Sequence, residues 1–233
     1  MTKQTTKQMG DVGEGKAHFA SGLNFYNLFW VFFIGSFLGV VVETIWIFFK
    51  NGYIESRVGL IYGLFNLVYG FGALAMMIGL YPLRNKSDRW LMLGGVLIGT
   101  FVEYFSSWVE EMLFGSASWN YSNLPLNLNG RVNLLYSFFW GFLAIFWVKD
   151  IYPRISGWIK KIPNNIGKPL TWVLAAFMLF NIAMSLGAVK SWSRRVYGQP
   201  VDTQAEQWFE EKFPDKKMEK IFPSMQFIGQ KED

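Results

Sequence analysis

The sequence has no cysteine and a single histidine, His18. A disulfide framework, a thiolate metal site and a cysteine nucleophile are thereby excluded. His18 lies in a polar N-terminal stretch, so a zinc site or a Ser-His dyad among the apolar segments has no residues to build it. Any metal would need oxygen ligands, and neither a metal nor another cofactor is expected. The sequence also lacks a Gly-x-x-x-x-Gly-Lys-Ser/Thr loop, so the chain is not itself an ATPase. Charge is scarce at 17% of residues, and it collects at the chain ends and in short gaps. The formal charge of +5 forms no basic stripe, so nucleic acid is not an expected partner. An excess of this kind in an apolar chain marks cytoplasmic loops.

What fills the space between the charges is apolar. Hydrophobic residues make up 52% of the 233, and they fall into five runs: 23–49, 58–80, 90–114, 132–148 and 170–189. A helix of about 20 residues crosses a ~30 Å hydrocarbon core. The first run is far longer than the core of a signal peptide and has no small-residue cleavage site. The runs predict an all-α integral membrane protein of about five transmembrane helices in contact with the lipid bilayer. Residues 1–22 read as a disordered polar tail, 23–189 as the membrane domain and 190–233 as a soluble C-terminal tail, partly helical over 203–212. Counting Lys and Arg in short loops places the N-terminus in the cytoplasm and the C-terminus outside a multi-pass cell membrane protein. Residues Arg84, Lys86, Arg89, Lys149, Arg154, Lys160, Lys161 and Lys168 fall on the N-terminal side.

The runs also repeat. Gly35-x-x-x-Gly39-x-x-x-Glu43 in the first recurs as Gly95-x-x-x-Gly99-x-x-x-Glu103 in the third. The stretch from Arg57 through Tyr62 to Phe65 aligns with Arg131 through Tyr136 to Phe139, and Tyr69-Gly70-Phe71 resembles Trp140-Gly141-Phe142. The pattern predicts a helical hairpin used twice, over about 23–80 and 90–148, as parallel repeats about an axis along the membrane normal. The extra helix 170–189 lies outside the repeat. Residues four apart share a helix face, and small residues let helices approach where lipid gives no hydrophobic drive. Glu43 and Glu103 therefore point into the bundle.

A carboxylate at the centre of a span costs about 2.5–3.5 kcal/mol on insertion scales, so Glu43 and Glu103 need partners or water. Arg57 and Arg131 lie at the starts of the second and fourth runs, and the repeat would bring both glutamates and both arginines together. Glu103, Ser107 and Glu110 extend one polar helix face. Trp119, Tyr121 and Asn129 come from the connection after it, and Tyr62, Asn66 and Tyr136 from the second and fourth runs. These twelve residues are the candidate binding site. Two readings fit them: Glu-Arg pairs that only pin the repeat interface, or a pocket for a ligand.

At these residues the chain resembles a bacterial family catalogued as ABC-transporter permeases of the CmpB type. The resemblance rests on Glu43, Arg57 with Leu60-Ile61-Tyr62-Gly63, Tyr69-Gly70-Phe71-Gly72, Gly99-Thr100 with Glu103-Tyr104, Trp119-Asn120-Tyr121-Ser122, and Asn127-Leu128-Asn129-Gly130-Arg131. It covers roughly 23–148. Family members often carry Trp-Asp-Tyr-Ser where this chain has Asn120. The resemblance implies a transport component moving a polar or anionic solute, working as a homodimer or with a partner ATPase. A membrane-embedded enzyme on a lipid-linked or cell-envelope substrate, with Arg57 and Arg131 holding phosphate, and a non-catalytic assembly protein remain as alternatives.

Overall fold

The computed structural model describes residues 18–229. The chain is an all-α membrane protein. Its long helices are α1 (Phe25–Asn51), α3 (Asp88–Phe114), α4 (Leu134–Phe146) and α6 (Asn164–Val196). α4 continues through a π-helical turn, Trp147–Ile151, into α5 (Tyr152–Ile159). With that continuation, four helices among the described residues are long and apolar enough to cross a membrane. α2 (Leu67–Leu80) is shorter, even with the 3-10 turn that extends it to Leu83.

The second predicted run, 58–80, is thus only partly helical. Residues 58–66 are irregular, because Gly63 turns at φ +79° and Asn66 caps α2 by accepting from the Val68 N–H. Irregular backbone at membrane depth needs every peptide group satisfied within the protein. Here α6 supplies the partners. Ser185 Oγ accepts from the Ile61 N–H (2.9 Å), Asn181 Oδ1 accepts from the Tyr62 N–H (3.1 Å), and Asn181 Nδ2 donates to the Tyr62 carbonyl (2.6 Å). The Asn66 N–H donates to the Ser36 carbonyl in mid-α1. Arg57 sits beside Glu43, about two turns from Ser36 along α1. The irregular segment and then α2 therefore run alongside α1.

Two seams hold the hairpins. A Cβ on Gly35 would lie 2.6 Å from Ala73 Cβ, and one on Gly39 would lie 2.1 Å from Tyr69 Cγ. Between α3 and α4 the corresponding contacts are Gly95 against Ala144 Cβ at 2.2 Å and Gly99 against Trp140 Cγ at 2.3 Å. The aligned segments that enter the second helices differ. Residues 57–66 are irregular, whereas Val132–Asn133 (β3) pairs with Asn127–Leu128 (β2) and α4 starts at Leu134. Between them Asn129 and Gly130 take φ +55° and +67°, a conformation that asparagine and glycine adopt most readily.

One end of the bundle buries Trp30, Val31, Met76, Leu80, Leu91 and Ile155 in a common core. Residues 18–22 belong to this end: Phe19 is buried against Gly167, and His18 Nε2 lies 2.9 Å from the Ile162 carbonyl. The expected disordered tail otherwise falls on residues 1–17, outside the described residues. The C-terminal segment packs at the other end of α6. α7 (Gln204–Lys212) and α8 (Asp215–Ile221) place Phe213, Met218 and Phe222 against Ala188, Val189 and Trp192. The final strand, Gln226–Phe227 (β4), pairs with Ser116–Ala117 (β1) after α3. The expected soluble tail is therefore docked on the membrane domain. The α6 helix of 33 residues is roughly 50 Å long, so the first and last described segments lie at opposite ends of the bundle.

Candidate functional site

Between the two hairpins and α6 lies a cavity of about 700 Å³. Seven of the twelve predicted residues line it: Glu43, Arg57, Asn66, Glu103, Glu110, Trp119 and Tyr121. The glycine seams explain the glutamates' direction. One turn beyond Gly39, Glu43 accepts a hydrogen bond from the Tyr69 hydroxyl. One turn beyond Gly99, Glu103 accepts from Trp140 Nε1 (3.1 Å), and it also accepts from the Tyr121 hydroxyl (2.9 Å). Each glutamate is thus met by the aromatic residue whose ring root rests on the preceding glycine. Burial, and then the Glu103 carboxylate, push the Tyr121 phenol well above its ordinary range, so it remains a donor. Glu110 accepts from the hydroxyls of Ser116 (3.1 Å) and Ser118 (3.0 Å).

The arginines do not form the expected four-membered cluster. Arg57 bonds Glu55, and its Nε lies 3.9 Å from Glu43 Oε1. Arg131 pairs with Glu111 at 2.5 Å and donates weakly to Ser107 Oγ at 3.4 Å. Glu103 has no cation within ion-pair distance among the described residues. The reason lies in the different entries to α2 and α4: the β2–β3 hairpin carries Arg131 toward the C-terminal turns of α3, beyond Glu103. Arg131, Ser107 and Asn129 line a second cavity of about 630 Å³, and Trp119 borders both. The Asn129 amide donates to the Tyr104 hydroxyl at 2.9 Å.

Tyr62 and Tyr136 line neither cavity. Tyr62 stacks on Phe180 (centroids 5.9 Å apart), its role lying in the backbone held by Asn181. Tyr136 stacks on Tyr121 at 4.8 Å and steadies Glu103's donor.

Sequence reasoning missed several lining residues. Tyr69 and Trp140 were visible as an aligned pair, but their hydrogen bonds to the glutamates were not. Ser185 and Leu186 of α6 carry no charge that would single them out. Phe222, Ser224 and Met225 come from the docked tail, for which apolar periodicity gives no position.

The arrangement defines a polytopic helical membrane protein with carboxyl groups gathered in a cavity between its helices. A family model described as "Putative ABC-transporter type IV" matches residues 30–186, and the chain belongs to that family. The match takes in the hairpins and most of α6, including Asn181 and Ser185, and stops before the docked tail. No curated protein and no solved structure matches the chain.

Proposed function

We propose that the chain is the membrane component of a transporter, and that the cavity between the α1–α2 and α3–α4 hairpins is where the transported molecule is held. One observation carries this reading: Glu43, Glu103 and Glu110 converge there, and Arg57 is the only basic side chain among the described residues that line the cavity. Charges that served packing alone would close into pairs. Instead, Glu103 is held by neutral donors and keeps acceptor capacity, because a carboxylate offers about four lone-pair sites. The matching glycine seams support a duplicated hairpin, with the cavity at the interface of the two copies as in repeat-built transporters. The family description, which names an ABC transporter, favours work with a partner ATPase; a second copy of the chain is the other partner that would complete a transport path.

The test is a thermal-shift screen of the purified full chain against small polar solutes and membrane amphiphiles, with Glu103→Gln beside it. Glutamine keeps the size of the side chain and one acceptor oxygen. A solute or amphiphile that stabilises the protein, and does so far less in the variant, supports a binding cavity. A variant that is severely destabilised while no compound shifts the parent would mean that Glu103 serves the fold alone.

A further inference from the structure

Beside the polar groups of the main cavity runs an apolar wall, which extends past them along α2. Leu74, Ala75 and Ile78 come from α2, Phe101 and Phe105 from α3, and Leu186 from α6. Near the start of α3 the two helices touch: a Cβ on Gly79 would lie 2.6 Å from Ile98 Cδ1, and one on Gly94 would lie 2.7 Å from Leu80 Cδ2. At the opposite end Ser193 Oγ donates to the Phe114 carbonyl at 2.6 Å, and the docked tail contributes Phe222 and Met225 to the lining. The cleft is thus narrowed at one end and roofed at the other. Its flank is open: Ile78 is 48%, Phe101 68% and Leu186 43% exposed. Phe101 and Leu186 belong to helices long and apolar enough to cross a membrane, where exposed apolar side chains meet acyl chains, so this opening faces lipid.

A molecule already in the bilayer can enter by that side. The α2 wall from Tyr69 to Ile78 is roughly 14 Å long, enough for a substantial part of an acyl chain. The polar part presents three carboxyl groups and one guanidinium, and Arg57 is already engaged by Glu55 and Glu43. An anionic head would add negative charge and acceptors to a partly desolvated site already rich in both, at a cost that nothing there offsets. A head that donates hydrogen bonds matches the unused acceptor capacity of the glutamates.

Resting on the binding cavity proposed above, we infer that the occupant is an amphiphile drawn sideways from the bilayer. Its chain lies along α2 and α3, and its hydroxyl- or ammonium-bearing head lies at Glu43, Glu103 and Glu110. Anionic heads are disfavoured.

The experiment uses the full chain in phosphatidylcholine nanodiscs. Dodecylamine, dodecyl glucoside and dodecyl phosphate are each added at low mole fraction, and ethanolamine and glucose serve as head groups without a chain. The parent protein is compared with Glu103→Gln and with Ala75→Trp, which fills the apolar flank. Dodecylamine or dodecyl glucoside is expected to raise the Tm by roughly 5 °C at saturation, dodecyl phosphate and the free head groups to leave it unchanged, and both variants to lose the shift. Which of the two active probes is stronger separates an ammonium from a hydroxyl head. Equal stabilisation by dodecyl phosphate, an undiminished shift in Ala75→Trp, or equal stabilisation by a free head group overturns the inference. In the last case, a shift lost in Glu103→Gln still leaves the polar cavity standing. If no probe shifts the parent, the inference fails; if Glu103→Gln also fails to fold, the binding cavity falls with it.

Discussion

Gly39 and Gly99 each lie beneath the root of an aromatic ring, and their place in the chain sets where a carboxyl group points one turn later. A Cβ at Gly99 would sit 2.3 Å from Trp140 Cγ, an atom too close to the backbone to swing aside. Gly99→Leu is expected to destabilise the protein by about 1–3 kcal/mol, the usual cost of overpacking, and to displace the Trp140 N–H from Glu103. Thermal unfolding and Trp fluorescence check both effects. Asn181 makes a different kind of contact, since its amide closes on both polar groups of one peptide. Asn181→Leu leaves the Tyr62 N–H and carbonyl without these partners, at about 1–3 kcal/mol for each buried group. Hydrogen exchange at residues 58–66 is expected to quicken in that variant; unchanged protection would remove Asn181 from this role. The glutamates and their glycines were legible in the sequence because they recur in one frame. Asn181 was not, because a lone amide in an apolar run carries no sign of a partner far away in the chain.

At the scale of elements, apolar runs and helices agree wherever lipid alone decides the conformation, as in α1 and α3. They part where protein replaces lipid as the surroundings. Residues 58–66 are as apolar as a span, yet the hydroxyl and amide groups of α6 make an irregular backbone tolerable there. The run ending at Val148 likewise continues as helix to Ile159, because Ile155 and Ile159 are buried in spite of the charges at Lys149, Asp150 and Arg154 just after the run. α7 falls within the stretch 203–212 expected to be partly helical, and it opens on a capping box in which Thr203 and Glu206 exchange hydrogen bonds with each other's backbone. Glu206 accepts from the Asp202 and Thr203 N–H groups and pairs with Arg194. Those backbone hydrogen bonds, the Asp202 N–H first, hold its carboxyl below the ordinary range. A lowered carboxyl contributes stability above its unfolded value and loses it as pH falls through the folded value. The α7 amides are therefore expected to lose exchange protection as the solution is acidified through the carboxylate range, while α3 keeps its protection. Parallel loss in both helices would assign the effect to the whole fold.

The molecule as a whole has two distinct ends, and the tail end also carries Lys190, Arg194 and Arg195. Arg84, Lys86, Arg89, Lys160 and Lys161 lie at the end that holds residues 18–22, and the docked tail lies at the other. Under the positive-inside rule, a reporter active only outside the cytoplasm is expected to be active when fused after the C-terminal tail and silent at the N-terminus. The reverse pattern would invert the proposed orientation without altering the cavity. The docking of the tail could not be read from the sequence, since its anchors Phe213, Met218 and Phe222 are spaced like those of any small amphipathic segment.

The clasp between Tyr62 and Asn181 joins residues 119 apart in the chain, and this bears on biosynthesis. When the first hairpin leaves the ribosome, the amide that will complete it has not yet been made. Residues 61 and 62 must wait, with translocon, water or lipid headgroups as stand-ins, until the last membrane helix is inserted. A chain cut short before that helix would keep its first four segments and still lack a finished first hairpin, which would make it a natural target for membrane quality control.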